Sequence, residues 1–109
     1  MVTDIETVNT TVLKYIDDVK KAMPIDKVYL YGSYAKGTQH ENSDVDICFF
    51  SHAFESKSSL DVLTELFYLK INYDKHLLIE PNAFLVSELY NDNPFVKEIL
   101  RTGKEIIID

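Results

Sequence analysis

Two acidic residues one position apart, Asp44 and Asp46, follow a glycine–serine pair, Gly32 and Ser33, after a polar loop of ten residues. Side chains two positions apart in an extended strand point to the same face, so the two carboxylates should lie side by side. Two negative charges on one face repel each other unless a divalent cation lies between them. Hard oxygen ligands suit Mg²⁺, which keeps several waters and is completed by substrate phosphates. The spacing therefore predicts a site for a metal-bound triphosphate.

The glycine–serine pair supplies the phosphate-binding half of such a site. Gly32 lets the backbone approach a ligand closely or adopt a positive φ, and Ser33 adds a hydroxyl and an amide N–H where a short helix is predicted to begin. Such N–H groups attract phosphate oxygens, and Lys36 in the same segment can reach a triphosphate as a point charge. We predict that Gly32, Ser33 and Lys36 bind the nucleotide, and that Asp44 and Asp46 are catalytic metal ligands.

Gly32-Ser33, ten residues and then Asp44-x-Asp46 resemble the signature of the DNA polymerase β-type nucleotidyltransferase superfamily, and the short chain resembles its minimal nucleotidyltransferase (MNT) branch. The resemblance implies an α/β (α+β) fold in which helices pack on a small mixed β-sheet. It also implies two Mg²⁺ ions held by strand carboxylates, and transfer of a nucleoside monophosphate from ATP or another nucleoside triphosphate to a hydroxyl. Many minimal members are antitoxins encoded beside a separate HEPN-type toxin, and some transfer AMP to a tyrosine of that toxin. A HEPN-type protein partner is therefore expected.

The chain departs from the family pattern beside the glycine–serine pair. Two positions that are often arginine in the family are Tyr34 and Lys36 here. Because only one of these two positions carries a positively charged side chain, we expect the affinity for the triphosphate to be modest.

The resemblance also implies a third carboxylate, from a neighbouring strand, that binds one metal and helps to deprotonate the attacking hydroxyl. Alternation along the third predicted strand places His76, Leu78 and Glu80 on one face. We predict Glu80 as this third metal ligand and catalytic base. Asp74 is the alternative if the strand begins earlier.

Turn residues and apolar spacing predict the order of the elements. Apolar residues recur at helical spacing between Ile5 and Met23, and Pro24 closes this first helix. Proline cannot donate to a ladder, so Pro81 is expected to end the third strand. The other predicted elements are strands at 27–31 and 45–50, a helix at about 59–73, a strand at 76–80, short helices at about 86–91 and 94–102, and a strand at 105–108 after a C-cap at Gly103.

Composition restricts the classes of function. With 109 residues and 46% hydrophobic content, the chain suits one nucleotidyltransferase domain spanning residues 1–109. A net charge of −7 argues against a nucleic-acid partner, which normally needs a clustered positive surface. A single cysteine, Cys48, in an apolar strand indicates a core residue in a reducing cytoplasm. No apolar stretch approaches the roughly 18 residues of a membrane span, so no membrane association is expected.

Two other functions remain open at this point. The chain can be an interaction module that neutralises a partner by binding alone, with a vestigial nucleotide site. It can also be a small-molecule transferase of the aminoglycoside type, although the larger relatives with that activity carry an additional helical domain.

Overall fold

A computed structural model of the chain describes residues 5–32, 44–73 and 78–108, with side chains from residue 9 onward. Within these ranges, three α-helices pack on a four-stranded sheet. The helices are α1 (Ile5–Ala22), α2 (Ser59–Lys70) and α3 (Pro94–Thr102), and the strands are β1 (Lys27–Tyr31), β2 (Val45–Phe50), β3 (Ile79–Phe84) and β4 (Lys104–Ile106). Short 3-10 helices lie at His52–Ser56, Ile71–Tyr73 and Val86–Leu89.

The sheet is mixed, with the strand order β3-β2-β1-β4. Strand β1 is antiparallel to both β2 and β4, whereas β2 and β3 are parallel. The predicted fold class, a small mixed sheet with helices packed on it, is confirmed. The order places β2, which carries the acidic pair, between two other strands.

One face of the sheet forms the main core with α1 and α2. Val45, Ile47 and Phe49 of β2 alternate toward this face and are fully buried. Helix α1 contributes a buried stripe at the predicted helical spacing, made of Val12, Tyr15, Ile16 and Val19. No helix that the structure describes is both long enough and apolar enough to cross a membrane.

The other face of the sheet is covered by α3. Cys48 and Phe50 of β2 point to this face and are buried with Val96 and Ile99 of the helix. The helix begins sharply because the side chain of Asn93 accepts hydrogen bonds from the first free backbone N–H groups and Pro94 occupies the first turn. Since α3 is short, it covers only part of this face.

The third strand differs from its predicted span of 76–80, of which residues 76 and 77 lie outside the described ranges. Strand β3 runs from Ile79 to Phe84, straight through Pro81, so the expectation that Pro81 ends it was wrong. The carbonyl groups of Leu78 and Phe84 accept hydrogen bonds from the β2 side. Since residues 78 and 84 direct their backbone groups toward β2, residue 81 directs its own toward the opposite side, which is the edge of the four-stranded sheet. The N–H group that proline lacks is therefore not needed for a hydrogen bond to β2.

The remaining predicted boundaries need small corrections. Helix α2 ends at Lys70, and the predicted last turn is a 3-10 helix at Ile71–Tyr73. Strand β4 spans Lys104–Ile106 rather than 105–108. Gly103 is the C-cap of α3, as predicted, and its N–H donates to the Ile99 carbonyl at 2.7 Å.

A buried hydroxyl ties α1 to α2 and gives a test of the core. The Tyr15 hydroxyl, which is fully buried, donates to the Leu66 carbonyl at 2.8 Å. Tyr15→Phe should lower the free energy of unfolding by about 1 kcal/mol, since it removes this bond and leaves the ring in place. Urea denaturation would measure the change. Tyr68→Phe, at an α2 position that is 70% exposed, is the control and should change stability little; equal losses in the two variants would contradict the assignment.

Candidate active site

Three neighbouring strands bring two acids and a tyrosine into one row. In the register of the sheet, Tyr31 of β1 pairs with Asp46 of β2, and Asp46 pairs with Glu80 of β3. Paired residues point to the same face of a sheet, here the face that carries α3. Asp44 lies one residue before β2 and is close enough for its charge to act on Asp46. The structure thus brings together three of the predicted site residues, Asp44, Asp46 and Glu80, which we call the acidic row.

The carboxyl group of Asp46 is the strained member of this set. Burial raises its pKa to about 6 from an ordinary value of 3.8, and the negative charges of Asp44 and Glu80 add to the increase. In the described part of the chain, no lysine or arginine forms an ion pair with any of the three acids. The negative charge of the row is therefore not balanced by these cations.

Gly32 fixes the turn after β1 against the Asp46 side chain. Its φ is +76°, in the left-handed region that glycine adopts without strain. A Cβ at this position would lie 2.2 Å from Asp46 Oδ2 and 3.2 Å from Asp46 Cγ. The glycine is therefore required both for the turn and for the close approach of the backbone to a carboxylate. Ser33 and Lys36 lie outside the described residues, so their predicted phosphate contacts stay predictions, as does the alternative role of Asp74.

The chemistry of the acidic row fits a divalent cation. Three neighbouring carboxylates, which no lysine or arginine of the described ranges pairs with, are the hard oxygen donors that Mg²⁺ prefers. Their side chains are not arranged as a ready-made ligand set, because no group of three His, Cys, Asp or Glu residues in the described ranges has that geometry. The donor types fit the ion, and binding requires the side chains to converge.

Tyr31 is a member of the site that sequence reasoning missed. Its hydroxyl accepts a hydrogen bond of 2.7 Å from Asn82 Nδ2 on β3, so the side chain reaches across β2. Its ring makes an edge contact with Phe95 of α3, at 5.8 Å between centroids. Burial, together with the charges of Asp46 and Glu80, raises the pKa of Tyr31 to about 12. The phenol is therefore neutral, and it borders the acidic row. Its position directly before Gly32 was the one available signal.

The larger cavities among the described residues lie elsewhere. One of about 350 Å³ lies between α1 and β4 and is lined in part by Val12, Leu30 and Ile106. Another, of about 240 Å³, is bounded by Val62 and Leu85 among others. Neither has Asp44, Asp46 or Glu80 among its described lining residues, and the acidic row is identified here by its charge and its register.

Sequence comparison identifies the family. The model of the polymerase β nucleotidyltransferase family matches residues 14–109 of the chain. No curated protein matches the chain significantly by sequence.

Solved structures similar to this chain include nucleotidyltransferases and toxin–antitoxin proteins. A protein of Sulfolobus solfataricus, assigned as a nucleotidyltransferase, superposes with a TM-score of 0.65 at 16% identity. The match covers 88% of this chain and 76% of the Sulfolobus chain. A toxin–antitoxin structure with AMP-PNP has a TM-score of 0.54 at 26% identity, with coverage of 88% and 69%. A mutant of the toxin–antitoxin MntA–HpeT has a TM-score of 0.56 at 22% identity, with coverage of 88% and 69%. The first and third likenesses show the fold.

The contact between Gly32 and Asp46 can be tested by a double-mutant cycle. Gly32→Ala should lower the free energy of unfolding by about 2 kcal/mol, because a methyl group must displace the Asp46 carboxylate and the turn must hold a left-handed alanine. The Asp46→Ala substitution removes Oδ2 and Cγ, the two Asp46 atoms named above. In that background, the loss of stability caused by Gly32→Ala should fall to about 1 kcal/mol. Chemical denaturation of the four proteins would give the coupling energy. Purely additive losses would show that the two residues do not touch.

Because the pKa of Asp46 is raised, replacing this residue with the neutral asparagine should stabilise the folded protein in a pH-dependent way. Ionised Asp46 destabilises the folded state fully above about pH 6, and the penalty disappears as pH falls toward the unfolded value of 3.8. Without magnesium, Asp46→Asn should therefore be more stable than the wild type at pH 7.5, by about 1 kcal/mol after allowance for solvent screening of a half-exposed group. Denaturation at pH 4 should show no difference. Glu65→Gln on the exposed face of α2 is the control; a similar gain there, or a pH-independent gain at position 46, would contradict the assignment.

Proposed function

This chain belongs to the polymerase β nucleotidyltransferase family, and we propose that it transfers a nucleoside monophosphate, AMP from ATP, to a hydroxyl of a separately encoded HEPN-type protein. The observation that carries the proposal is the row of Asp44, Asp46 and Glu80 beside the left-handed turn at Gly32. Carboxylates that repel one another can bind a divalent cation, and a glycine turn lets the backbone approach a phosphate group. The two features together suit a nucleoside triphosphate that binds with its metal ion. The similarity to a toxin–antitoxin with AMP-PNP supports ATP as the donor.

The three acids have separate roles in this proposal. Asp44, Asp46 and Glu80 would hold two Mg²⁺ ions, which when bound would neutralise phosphate charge and lower the pKa of the acceptor hydroxyl. Glu80, at the edge of the row, takes the proton of that hydroxyl. The acceptor oxygen then forms a bond to the α-phosphorus, the bond between that phosphorus and the bridging oxygen breaks, and pyrophosphate leaves. The Asp46 carboxylate lies close against the backbone of Gly32, where a Cβ would lie 2.2 Å from its Oδ2.

Phosphate binding falls to the turn that follows β1. We assign Gly32, Ser33 and Lys36 to the β- and γ-phosphates, with Lys36 providing the positive charge. The neutral phenol of Tyr31 closes the row on the β1 side, where its hydroxyl is held by Asn82. In this proposal the triphosphate lies between the turn and the acids.

A protein partner agrees with the exposed surface of α2, together with Ile71 of the 3-10 helix that follows it. Leu60, Tyr68 and Ile71 are 73%, 70% and 60% exposed, which is unusual for side chains of this size in one helical region. Two of the similar structures are toxin–antitoxin proteins. We place the reaction in the cytoplasm, where ATP is present and the buried free thiol of Cys48 stays reduced.

Neutralisation by binding alone is the second candidate, and the same α2 surface favours it. These apolar side chains lie on a helix that packs against the sheet face opposite to the acidic row. A partner can therefore bind there without using the nucleotide site. In that case the toxin–antitoxin likeness would reflect assembly and not transfer.

Labelled ATP distinguishes the two candidates. The protein should be incubated with Mg²⁺, α-labelled ATP and the product of the adjacent reading frame, and label should appear on that product. Asp44→Asn and Asp46→Asn should reduce labelling at least about 100-fold, since each removes a charged metal ligand while the shape of the side chain is kept. Circular dichroism would show that both variants stay folded.

Two controls complete this experiment. Asp17→Asn, on an exposed part of α1, should label the partner as well as the wild type does. Binding of the partner without any label, equal for wild type and Asp46→Asn, would support neutralisation by binding and would refute the transfer reaction.

A further inference from the structure

An exposed aromatic ring borders the acidic row. Phe95, near the start of α3, is 47% exposed, although its ring contacts both Tyr31 and Phe84 at 5.8 Å between centroids. The Tyr31 contact is an edge contact with an interplanar angle of 89°. Two ring contacts of this kind hold an aromatic side chain in place without burying it. Phe95 is therefore a supported ring with free surface.

Tyr31 connects this ring to the site. Tyr31 directly precedes Gly32, pairs with Asp46 in the sheet, and has its hydroxyl fixed by Asn82. The ring that supports Phe95 is thus itself fixed at both ends by residues of the site. Tyr31 thus contacts the exposed ring and pairs with Asp46, which places Phe95 within one side chain of the acidic row.

We propose that the free surface of Phe95, supported by Tyr31, stacks on the base of the nucleoside triphosphate whose phosphates lie at the acidic row. This inference rests on the proposed function, and it assigns the base-binding part of that site. A nucleobase has two flat apolar faces, and stacking on an aromatic side chain is a common way to bind one. Because Phe95 is already positioned by two rings, little side-chain entropy is lost when the base binds.

The polar side chain two positions before Phe95 is already occupied. Asn93 accepts hydrogen bonds from the N–H groups of Phe95 and Val96 and donates to Glu88 at 2.6 Å. Its side chain therefore has little capacity left to read the edge of a base. Recognition through Phe95 depends on the π-face, and purine triphosphates, with the larger face, should bind better than pyrimidine triphosphates.

A single fluorophore can report on this contact. The chain contains no tryptophan, so Phe95→Trp introduces one indole and keeps an aromatic face. Magnesium ATP should quench or shift its emission, whereas magnesium tripolyphosphate, which has no base, should not. Tyr68→Trp, at a 70% exposed position on α2, is the control and should respond to neither ligand. An equal response of the Phe95→Trp protein to both ligands would overturn the proposal.

Affinity measurements provide the second test. Phe95→Ala should weaken magnesium ATP binding about tenfold in isothermal titration calorimetry and leave tripolyphosphate binding within about twofold of wild type. Phe95→Leu keeps apolar packing on Tyr31 and Phe84 and should give a smaller loss that is still confined to ATP. Unchanged ATP binding, or equal losses for both ligands, would refute the stacking role. A wild-type protein that bound neither ligand would overturn the proposed function as well as this inference.

Discussion

The half-buried carboxylate of Asp46 is the constraint on which the rest of the site depends. A charge in this position, next to two other acids, is unfavourable in the ligand-free protein, as its raised pKa shows. It persists because the surrounding structure fixes it: β2 is paired on both sides, and the backbone of Gly32 leaves no room for the side chain to move toward β1. The sheet therefore supports an electrostatic arrangement that would be unstable by itself.

The two faces of strand β2 have different environments. One face of β2 carries Val45, Ile47 and Phe49, whose burial against α1 and α2 stabilises the sheet. The other face changes along the strand from Asp46 to Cys48 and Phe50, that is, from the site to the apolar contact with α3. Helix α3 buries the apolar end through Val96 and Ile99, and its Phe95 reaches Tyr31 beside the acidic end.

Alternation predicted the site better than it predicted the ends of the strands. It placed Asp44 with Asp46, and it placed Glu80 on the face of the row, because the parity of a residue does not depend on where its strand begins or ends. The end of β3 was wrong because Pro81 is harmless at an open edge. Whether a strand is at an edge depends on the strand order, which no local pattern in this sequence specifies.

Tyr31 was missed for a related reason. Its role depends on contacts with Asn82 and Phe95, which are 51 and 64 positions away along the chain. Such contacts follow from the strand order and from the packing of α3, so a motif around Gly32 cannot reveal them. The sequence signature thus predicted the grouping of the acids and the turn at Gly32, whereas the side chains that border them required the tertiary structure.

A site of this kind links stability to ligand binding. Under the proposed function, a divalent cation bound at the row would relieve the repulsion that destabilises ionised Asp46, and its binding would stabilise the folded state. Replacing an acid of the row would then have opposite effects on the two properties, since it would remove the repulsion and the binding site together. A gain of stability in the free protein on replacing Asp46 therefore agrees with a binding role for this carboxylate.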